Sequence, residues 1–371
     1  MTAGDRVFGM GDEPVTESSW PASTDAEIAR AVGTAWGAAP AEVLWRSPRP
    51  LSTTVGVALA DGGHVVVKRL PTALRDRAAL RALREEHRFA NHLRAAGVPV
   101  PELRLGGVAT LDTARGPVEF VYEVQSAGAG EDRYRPDFSW SPWRDTGDAA
   151  GSGAALARAH LAAAGFDAPA RPARPLVASL HDGHPAGEFA WHLARRPALA
   201  AFLAGRDWRR ELPPEPVDLA GLRPLWTHGD WHPTNQLWRG HEVSTVFDFG
   251  LADRTTAVFD LATIVERTAV DWLAIRAGEP AEVRYDQLAA FFEAYLALRP
   301  PSAAERRALP GLLPVAHLGY ELSEIDYFLT VVHDRRAAEI AYEDWLLGHL
   351  RWYATPEGRD LREFVRGLVA G

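Results

Sequence analysis

The run His228-Gly229-Asp230-Trp231-His232-Pro233-Thr234-Asn235, followed by Asp248-Phe249-Gly250, sets two carboxylates and an amide around one short hairpin. Asn235 and Asp248 flank two β-rich segments, Gln236-Leu237-Trp238 and Val243 to Phe247, joined by a turn at Arg239-Gly240-His241-Glu242. With that turn centred between His241 and Glu242, Asn235 falls opposite Asp248, and an amide oxygen and a carboxylate converge. Two hard oxygen ligands suit Mg²⁺, which takes few protein ligands and completes its shell with water and phosphate. Asp230, five residues before Asn235, is placed to accept a proton or orient a hydroxyl beside that metal, a role worth about 10²–10⁴-fold in rate. Gly229 lets the loop take a backbone shape closed to other residues, and His228 holds the loop by hydrogen bonds. His228 and His232 have a spacing seen in zinc sites, but no third ligand accompanies them. Asn235 alone would read as a turn residue; the set together reads as a site.

Lys68 is the only lysine of the chain and ends the strand-like run His64-Val65-Val66-Val67-Lys68. Its compact charge on a slim stem suits a group that reaches phosphate oxygens in a narrow cleft, where arginine offers a wide planar fork.

The elements that must position these residues fall into two groups. A helix is expected from Asp25 to about Trp36, with Thr24 and Glu27 as a capping box. Strands follow at Val43 to Arg46, Val55 to Ala60 and His64 to Leu70, the last two joined by Asp61-Gly62-Gly63. A long helix, roughly Leu74 to Ala96, stops at Gly97, Pro99 and Pro101. Two more strands, Leu103 to Ala109 and Val118 to Val124, turn at Arg115-Gly116-Pro117. Beyond Gly128 and Gly130 the pattern is mainly helical: Ala154 to Ala164, Glu188 to Leu203, Val258 to Ala277, Glu282 to Leu298 and Pro314 to Val332. The proline-rich stretches Ala168 to Pro175 and Glu211 to Pro216 read as surface loops. Gly151-Ser152-Gly153 reads as an ordinary flexible helix start. The expected architecture is α+β and two-lobed, with a small antiparallel-sheet lobe over residues 1–125 and a larger helical lobe over 126–371.

From about Leu51 to the C-terminal helices, and most strongly between His228 and Asp260, the chain resembles the aminoglycoside phosphotransferase and choline kinase family, relatives of the protein kinase fold. The resemblance implies that Asp230 is the catalytic base, in a loop held by His228, that Asn235 and Asp248 bind Mg²⁺, and that Lys68 grips the phosphates of ATP or GTP. It also implies a glutamate partner for Lys68 from the long helix. Helical spacing selects Glu86, which shares a face with Ala82, Phe89 and Leu93, over Glu85, which aligns with Arg81, Arg88 and His92. No Gly-x-Gly-x-x-Gly loop precedes the hairpin. Its place is taken by Leu51-Ser52-Thr53-Thr54-Val55-Gly56, whose Ser52 and Thr53 are expected to cover the phosphates. Adenine is expected against the connector backbone around Glu123, Val124 and Gln125. Asp260 and His160 resemble residues that buttress the loops, and a structural role is expected of both.

Thirteen tryptophans are a high count. Trp140, Trp143, Trp231 and Trp238 fall near segments expected to border the acceptor, although core packing is the commoner role of each. Asp271, Glu321, Glu324 and Asp326 form a candidate acidic wall for cationic acceptor groups, although a solvated helix face is the commoner role of such residues. A net charge of −9 argues against nucleic acid as the main partner. Apolar runs are too short to span a bilayer, the absence of cysteine excludes disulfides, and the charged first twenty residues carry no signal-peptide pattern, all of which fits a cytoplasmic protein. The expected activity is transfer of the γ-phosphate to a hydroxyl of an aminoglycoside-like antibiotic or a small polar metabolite, by a monomer or homodimer. The competing readings are a catalytically silent nucleotide binder, against which the complete residue set argues, and a protein Ser/Thr kinase, against which the missing glycine loop argues.

Overall fold

The computed structural model describes residues 20–46, 52–72, 79–114, 116–137, 139–177, 180–213 and 215–370, with backbone alone for 79–84. Leu51, Arg115, the stretch 73–78 where the long helix was expected to begin, and the side chains of Arg81 and Ala82 lie outside it.

The chain folds into two lobes, as the sequence implies. Helix α1 (Asp25–Trp36) starts at the expected capping box, with Thr24 and Glu27 bonding each other's backbone N–H, and ends at Gly37 in the left-handed region. Such a cap stabilises a helix by about 1 kcal/mol. Ile28, Ala31 and Val32 bury its inner face against the sheet. Strands β1 (Pro40–Arg46), β2 (Thr53–Leu59), β3 (His64–Pro71), β4 (Leu103–Thr113) and β5 (Gly116–Ser126) form one antiparallel sheet in the order β1-β2-β3-β5-β4. Helix α2 (Ala79–Ala95) packs between this lobe and the next, with Phe89 against Phe166, Trp226 and Phe249. That aromatic cluster, buried except for the partly exposed Phe166, joins the lobes.

The second lobe is mostly helical: α3 (Thr146–Ala163), α4 (Pro185–Arg195), α5 (Pro197–Leu203), then, after the two small sheets, α6 (Ala257–Thr268), α7 (Trp272–Arg276), α8 (Tyr285–Leu298), α9 (Ala303–Tyr327), α10 (Arg335–Ile340), α11 (Gly348–Tyr353) and α12 (Pro356–Ala370). Several expected helices differ in extent. Glu188 to Leu203 divides at Arg196, because Pro197 has no N–H to continue the ladder. Val258 to Ala277 divides at Val270 and Asp271, where Val270 bridges to Val283. Helix α9 begins at Ser302, which caps it with Glu305, and runs through Pro310 and Pro314 rather than starting at Pro314. Its second half is buried nearly all round. Gly151-Ser152-Gly153 lies inside α3, whose cap is Asp145; Gly151 and Gly153 let the carbonyls of His241 and Phe291 approach, and a Cβ at either would sit about 2 Å from that oxygen.

Two antiparallel ribbons carry the motif loops. β6 (Pro224–Thr227) pairs with β9 (Asp253–Thr256), a pairing of two four-residue strands that the sequence pattern did not signal. β7 (Gln236–Arg239) and β8 (Glu242–Val246) form the expected hairpin around Gly240, which takes a φ of 56°. Among the described residues no helix is long and apolar enough to cross a membrane.

Candidate active site

The motif residues meet in one cleft of about 420 Å³ between the lobes, lined by Lys68, Glu123, Asp230, His232, Asn235, Asp248 and Arg267 among others. That volume is in the range of small-molecule sites.

The loop after β6 is held from below. Asp260 on α6 accepts the backbone N–H groups of His228 at 3.0 Å and Gly229 at 2.9 Å. His160 on α3 bonds Asp260 at 3.1 Å and the Tyr295 hydroxyl at 2.7 Å. Burial of all three makes this a fixed floor, and burial holds the His160 imidazole below its ordinary range. Gly229 has a φ of 74°, and a Cβ there would meet the Leu251 carbonyl at 2.4 Å, so only glycine lets the loop pass so close. The His228 ring bonds the Phe247 carbonyl at 3.0 Å and faces the Asp230 N–H at 3.3 Å, so it ties the two motif loops together.

Asp230 projects into the cleft. One carboxylate oxygen accepts from Arg267 Nη2 at 3.1 Å; the other accepts from Asn235 Nδ2 at 3.1 Å and lies 3.3 Å from His232 Nε2. Burial alone would raise its pKa, but the charges of His232 and Arg267 outweigh that and hold the carboxyl well below its usual range. Asp230 is therefore ionised at neutral pH.

Asn235 and Asp248 do come together, with a different register from that expected. Gln236 faces Val246 and Phe247 N–H donates to the Asn235 carbonyl at 3.1 Å, so Asn235 lies opposite Phe247, one residue short of Asp248. The turn is centred on Gly240-His241, and a bulge between Leu237 and Trp238 takes up the extra residue. Asp248 reaches the site because its backbone turns into the left-handed region at φ 62°, a conformation costly for a non-glycine residue and one that redirects its side chain. Asn235 commits its amide nitrogen to the backbone carbonyl and carboxylate of Asp230, which leaves the amide oxygen for a cation. That oxygen and the Asp248 carboxylate make a hard donor set that fits Mg²⁺.

Lys68 donates to Asp248 Oδ2 at 2.6 Å. The expected Lys68–Glu86 pair is not formed. Glu86 is buried on the apolar face of α2 as its spacing implied, but its carboxylate is taken by Arg171 and by Arg174 at 2.9 Å. Arg171 also donates from its side chain to the Gly250 carbonyl at 2.9 Å and from its backbone N–H to Asp253 Oδ1 at 2.8 Å. The physical reason is the segment Ala168 to Pro175, which is a surface loop only in part: Pro169, Ala170 and Pro172 are exposed, but Arg171 and Arg174 turn inward, are buried and take the Glu86 carboxylate. Arg171 and Arg174 escaped the sequence reading because prolines around them signalled exposure.

Strand alternation corrects the phosphate-side residues. Ser52 lines the cleft, but Thr53 points to the opposite face, where its hydroxyl accepts from Arg69 at 3.2 Å. Thr54, directly across from Lys68, takes the cleft position. Glu123 is likewise across from Lys68 and lines the cleft, 3.6 Å from His87. Val124 turns into the core, and the backbone of Glu123, Val124 and Gln125 is engaged in the sheet on both sides because β5 extends to Ser126. The lobe connector starts at Ala127.

The expected acceptor wall is the largest departure. Glu321, Glu324 and Asp326 are all buried, neither lining the cleft nor forming a solvated face. Asp326 lies 3.5 Å from Arg196, and burial pushes its carboxyl up to about 6. Burial and the neighbouring Glu324 push Glu321 well above the carboxylate range, while burial pushes Glu324 up to about 7 against the lowering effect of its hydrogen bond with Glu321 and of Arg267. Asp271 caps α7 by accepting the Ala274 N–H, beside a separate cavity. Trp231 is buried and donates to Ser152 at 2.9 Å. Trp143 and Trp238 are also core residues, stacked on Phe291 and packed against Tyr134. In place of these, Arg267 and Tyr320 line that end of the cleft. Arg267 stands seven residues after Asp260, on the same face of α6, and that spacing is the signal that could have found it.

The sequence model described as the phosphotransferase enzyme family matches residues 51–301. A homoserine kinase of Methylocella silvestris is 32% identical over 245 residues, which make up 64% of this chain and 67% of that protein. A homoserine kinase of Methylobacillus glycogenes is 31% identical over 178 residues, 47% of this chain and 50% of that protein, so the chain spans between half and two thirds of these relatives. Among solved structures, the amicoumacin kinase hAmiN in complex with AMP-PNP, Ca²⁺ and Ami has 13% identity and a TM-score of 0.54, covering 88% of this chain and 94% of that one. A microcompartment-associated aminopropanol kinase has 16% identity and a TM-score of 0.51, covering 90% and 98%. At these identities the likeness to both is one of fold.

Proposed function

From the premise that this chain belongs to the phosphotransferase enzyme family, we propose that it transfers the γ-phosphate of ATP or GTP to a hydroxyl of a small polar acceptor, with Asp230 as the base. The observation that carries this reading is the convergence of Asp230, Asn235, Asp248 and Lys68 in one cleft. The nucleotide lies under Ser52 and Thr54, its phosphates toward Lys68. Lys68 has three N–H donors and spends one on Asp248, so it can hold that carboxylate and phosphate oxygens at once. Mg²⁺, held by Asn235 and Asp248, would neutralise charge on the transferring group.

Asp230 is ionised and therefore able to take the acceptor's proton as its oxygen bonds to the γ-phosphorus and the bond to the β-phosphate oxygen breaks, releasing the nucleoside diphosphate. Its carboxylate is fixed from both sides by Asn235 and Arg267, so little reorganisation is needed at the reacting moment. Similarity to homoserine kinases favours a hydroxy amino acid among the candidate acceptors. An aminoglycoside is less favoured, because the carboxyls expected to hold its ammonium groups are enclosed in the core.

The test is release of ADP or GDP with Mg²⁺ across L-homoserine, amino alcohols, sugars and aminoglycosides, with Asp230→Asn as control. Turnover with an acceptor, lost in the variant, is the expected result. Nucleotide bound with no acceptor consumed would overturn the reading in favour of a silent nucleotide binder.

A further inference from the structure

Arg267 is an unusual residue to find at the acceptor end of this cleft. Its side chain is only 2% exposed, and its guanidinium carbon lies 4.5 Å from the ring centre of Trp140 and 4.2 Å from that of Tyr320. Two aromatic rings, nearly perpendicular to each other, therefore hold the group in place where it lines the cleft. Guanidinium has five N–H donors. The bond to Asp230 is the one hydrogen bond it makes among the described residues.

The charge around it has a consequence for the acceptor. Glu321 and Glu324 are buried near Arg267, and burial raises both carboxyls, so they only partly cancel its charge. The acidic side chains that do line this end of the cleft are Asp230, which is committed to the reaction, and Asp132. A polycationic acceptor would find an arginine where it needs carboxylates. An acceptor with its own carboxylate would find a rigid, incompletely used donor edge next to the base that takes its hydroxyl proton.

We infer that Arg267 is an acceptor-binding residue that selects hydroxyl compounds bearing a carboxylate, holding that group on the guanidinium edge while Asp230 holds the hydroxyl. This deepens the kinase reading above and rests on it. A planar guanidinium matches a carboxylate in paired hydrogen bonds, which a lysine ammonium or a neutral side chain does not reproduce.

The experiment compares kcat/KM for L-homoserine, 4-hydroxybutyrate and 3-amino-1-propanol in the wild type, Arg267→Lys and Arg267→Met, with Mg²⁺ and ATP. The first two acceptors carry the carboxylate and the third lacks it. The wild type should prefer homoserine to aminopropanol by roughly 10²-fold, the discrimination expected of a lost charged hydrogen-bond pair. In Arg267→Met that ratio should fall to near one, while Arg267→Lys should keep an intermediate ratio. Because the ratio is read within each variant, a general loss of activity from a displaced Asp230 does not mimic the result. Equal use of aminopropanol by the wild type, or a preference that survives Arg267→Met, would overturn the subsite and leave the kinase reading standing. Consumption of none of these acceptors, nor of any sugar or aminoglycoside, would overturn the kinase reading and the subsite with it.

Discussion

Asp230 and Asp248 are both acidic and both in the cleft, yet their surroundings differ. Asp230 is clamped by Asn235 and Arg267, whereas Asp248 is bound to Lys68. Asp230→Asn should keep nucleotide affinity within a few-fold and lower kcat by at least 10²-fold, as loss of a general base does. Calorimetric titration and initial rates on the same preparation check this split. Asp248→Ala should instead remove the part of nucleotide affinity that depends on Mg²⁺, seen as equal ATP binding with and without the metal. The meeting of these two carboxylates in one cleft was legible in the sequence because it depends on local spacing within one loop and one hairpin. The pairing partners were less so. Glu86 could be assigned to a buried face from helical period alone, but its cations, Arg171 and Arg174, come from more than eighty residues away along the chain.

Those arginines tie α2 to the frame of the cleft by a route other than the expected lysine pair. Arg171 bonds both Glu86 and the Gly250 carbonyl, so it fastens the helix to the Asp248 loop. Removing the carboxylate leaves two buried guanidinium groups with their main counter-ion gone, at a cost of about 3–5 kcal/mol. Glu86→Gln should lower Tm by more than about 5 °C in a thermal melt; an unchanged Tm would mean that Asp253 and the carbonyls suffice. Helix α1 carries a second buried ion pair, with Glu27 accepting from Arg69 at 2.8 Å, from Tyr122 and from its own cap at Thr24. Burial would raise the Glu27 carboxyl, but those bonds outweigh it and hold it down to about 2, against an ordinary 4.5. With the folded value depressed, the stabilisation is fully present above pH 4.5 and is lost as pH falls toward 2. Unfolding free energy of the wild type should therefore drop more steeply between pH 5 and pH 3 than that of Glu27→Gln, measured by urea titration at each pH. The capping box on α1 was readable from Thr24 and Glu27 alone, whereas β6 and β9 were not, because four residues carry too little pattern to announce a partner.

The two lobes are held by an aromatic cluster at the back, by Glu86 with its arginines, and by the Lys68–Asp248 bridge across the cleft. The two-lobed α+β architecture followed from a strand-rich half, a glycine connector and a helix-rich half. What periodicity could not show was which helix faces would be enclosed. Half of α9 is surrounded by other elements, so its charged positions, which pattern alone would send to solvent, ended in the interior with raised carboxyl pKa values. The candidate acidic wall was misread for that reason. Binding of nucleotide across both lobes should stabilise the whole chain by about 2.7 kcal/mol at a hundred times Kd. A Tm rise with Mg²⁺ and ATP that vanishes in Asp248→Ala would be the matching observation.

The most direct test of the account is phosphorus NMR of the reaction of L-homoserine with Mg²⁺ and ATP, run on the wild type and on Asp230→Asn. Growth of a phosphate monoester signal with the wild type, and none with a variant that still binds ATP, is the predicted result. A monoester formed at a near-normal rate by Asp230→Asn, or inorganic phosphate as the sole product of the wild type, would contradict it.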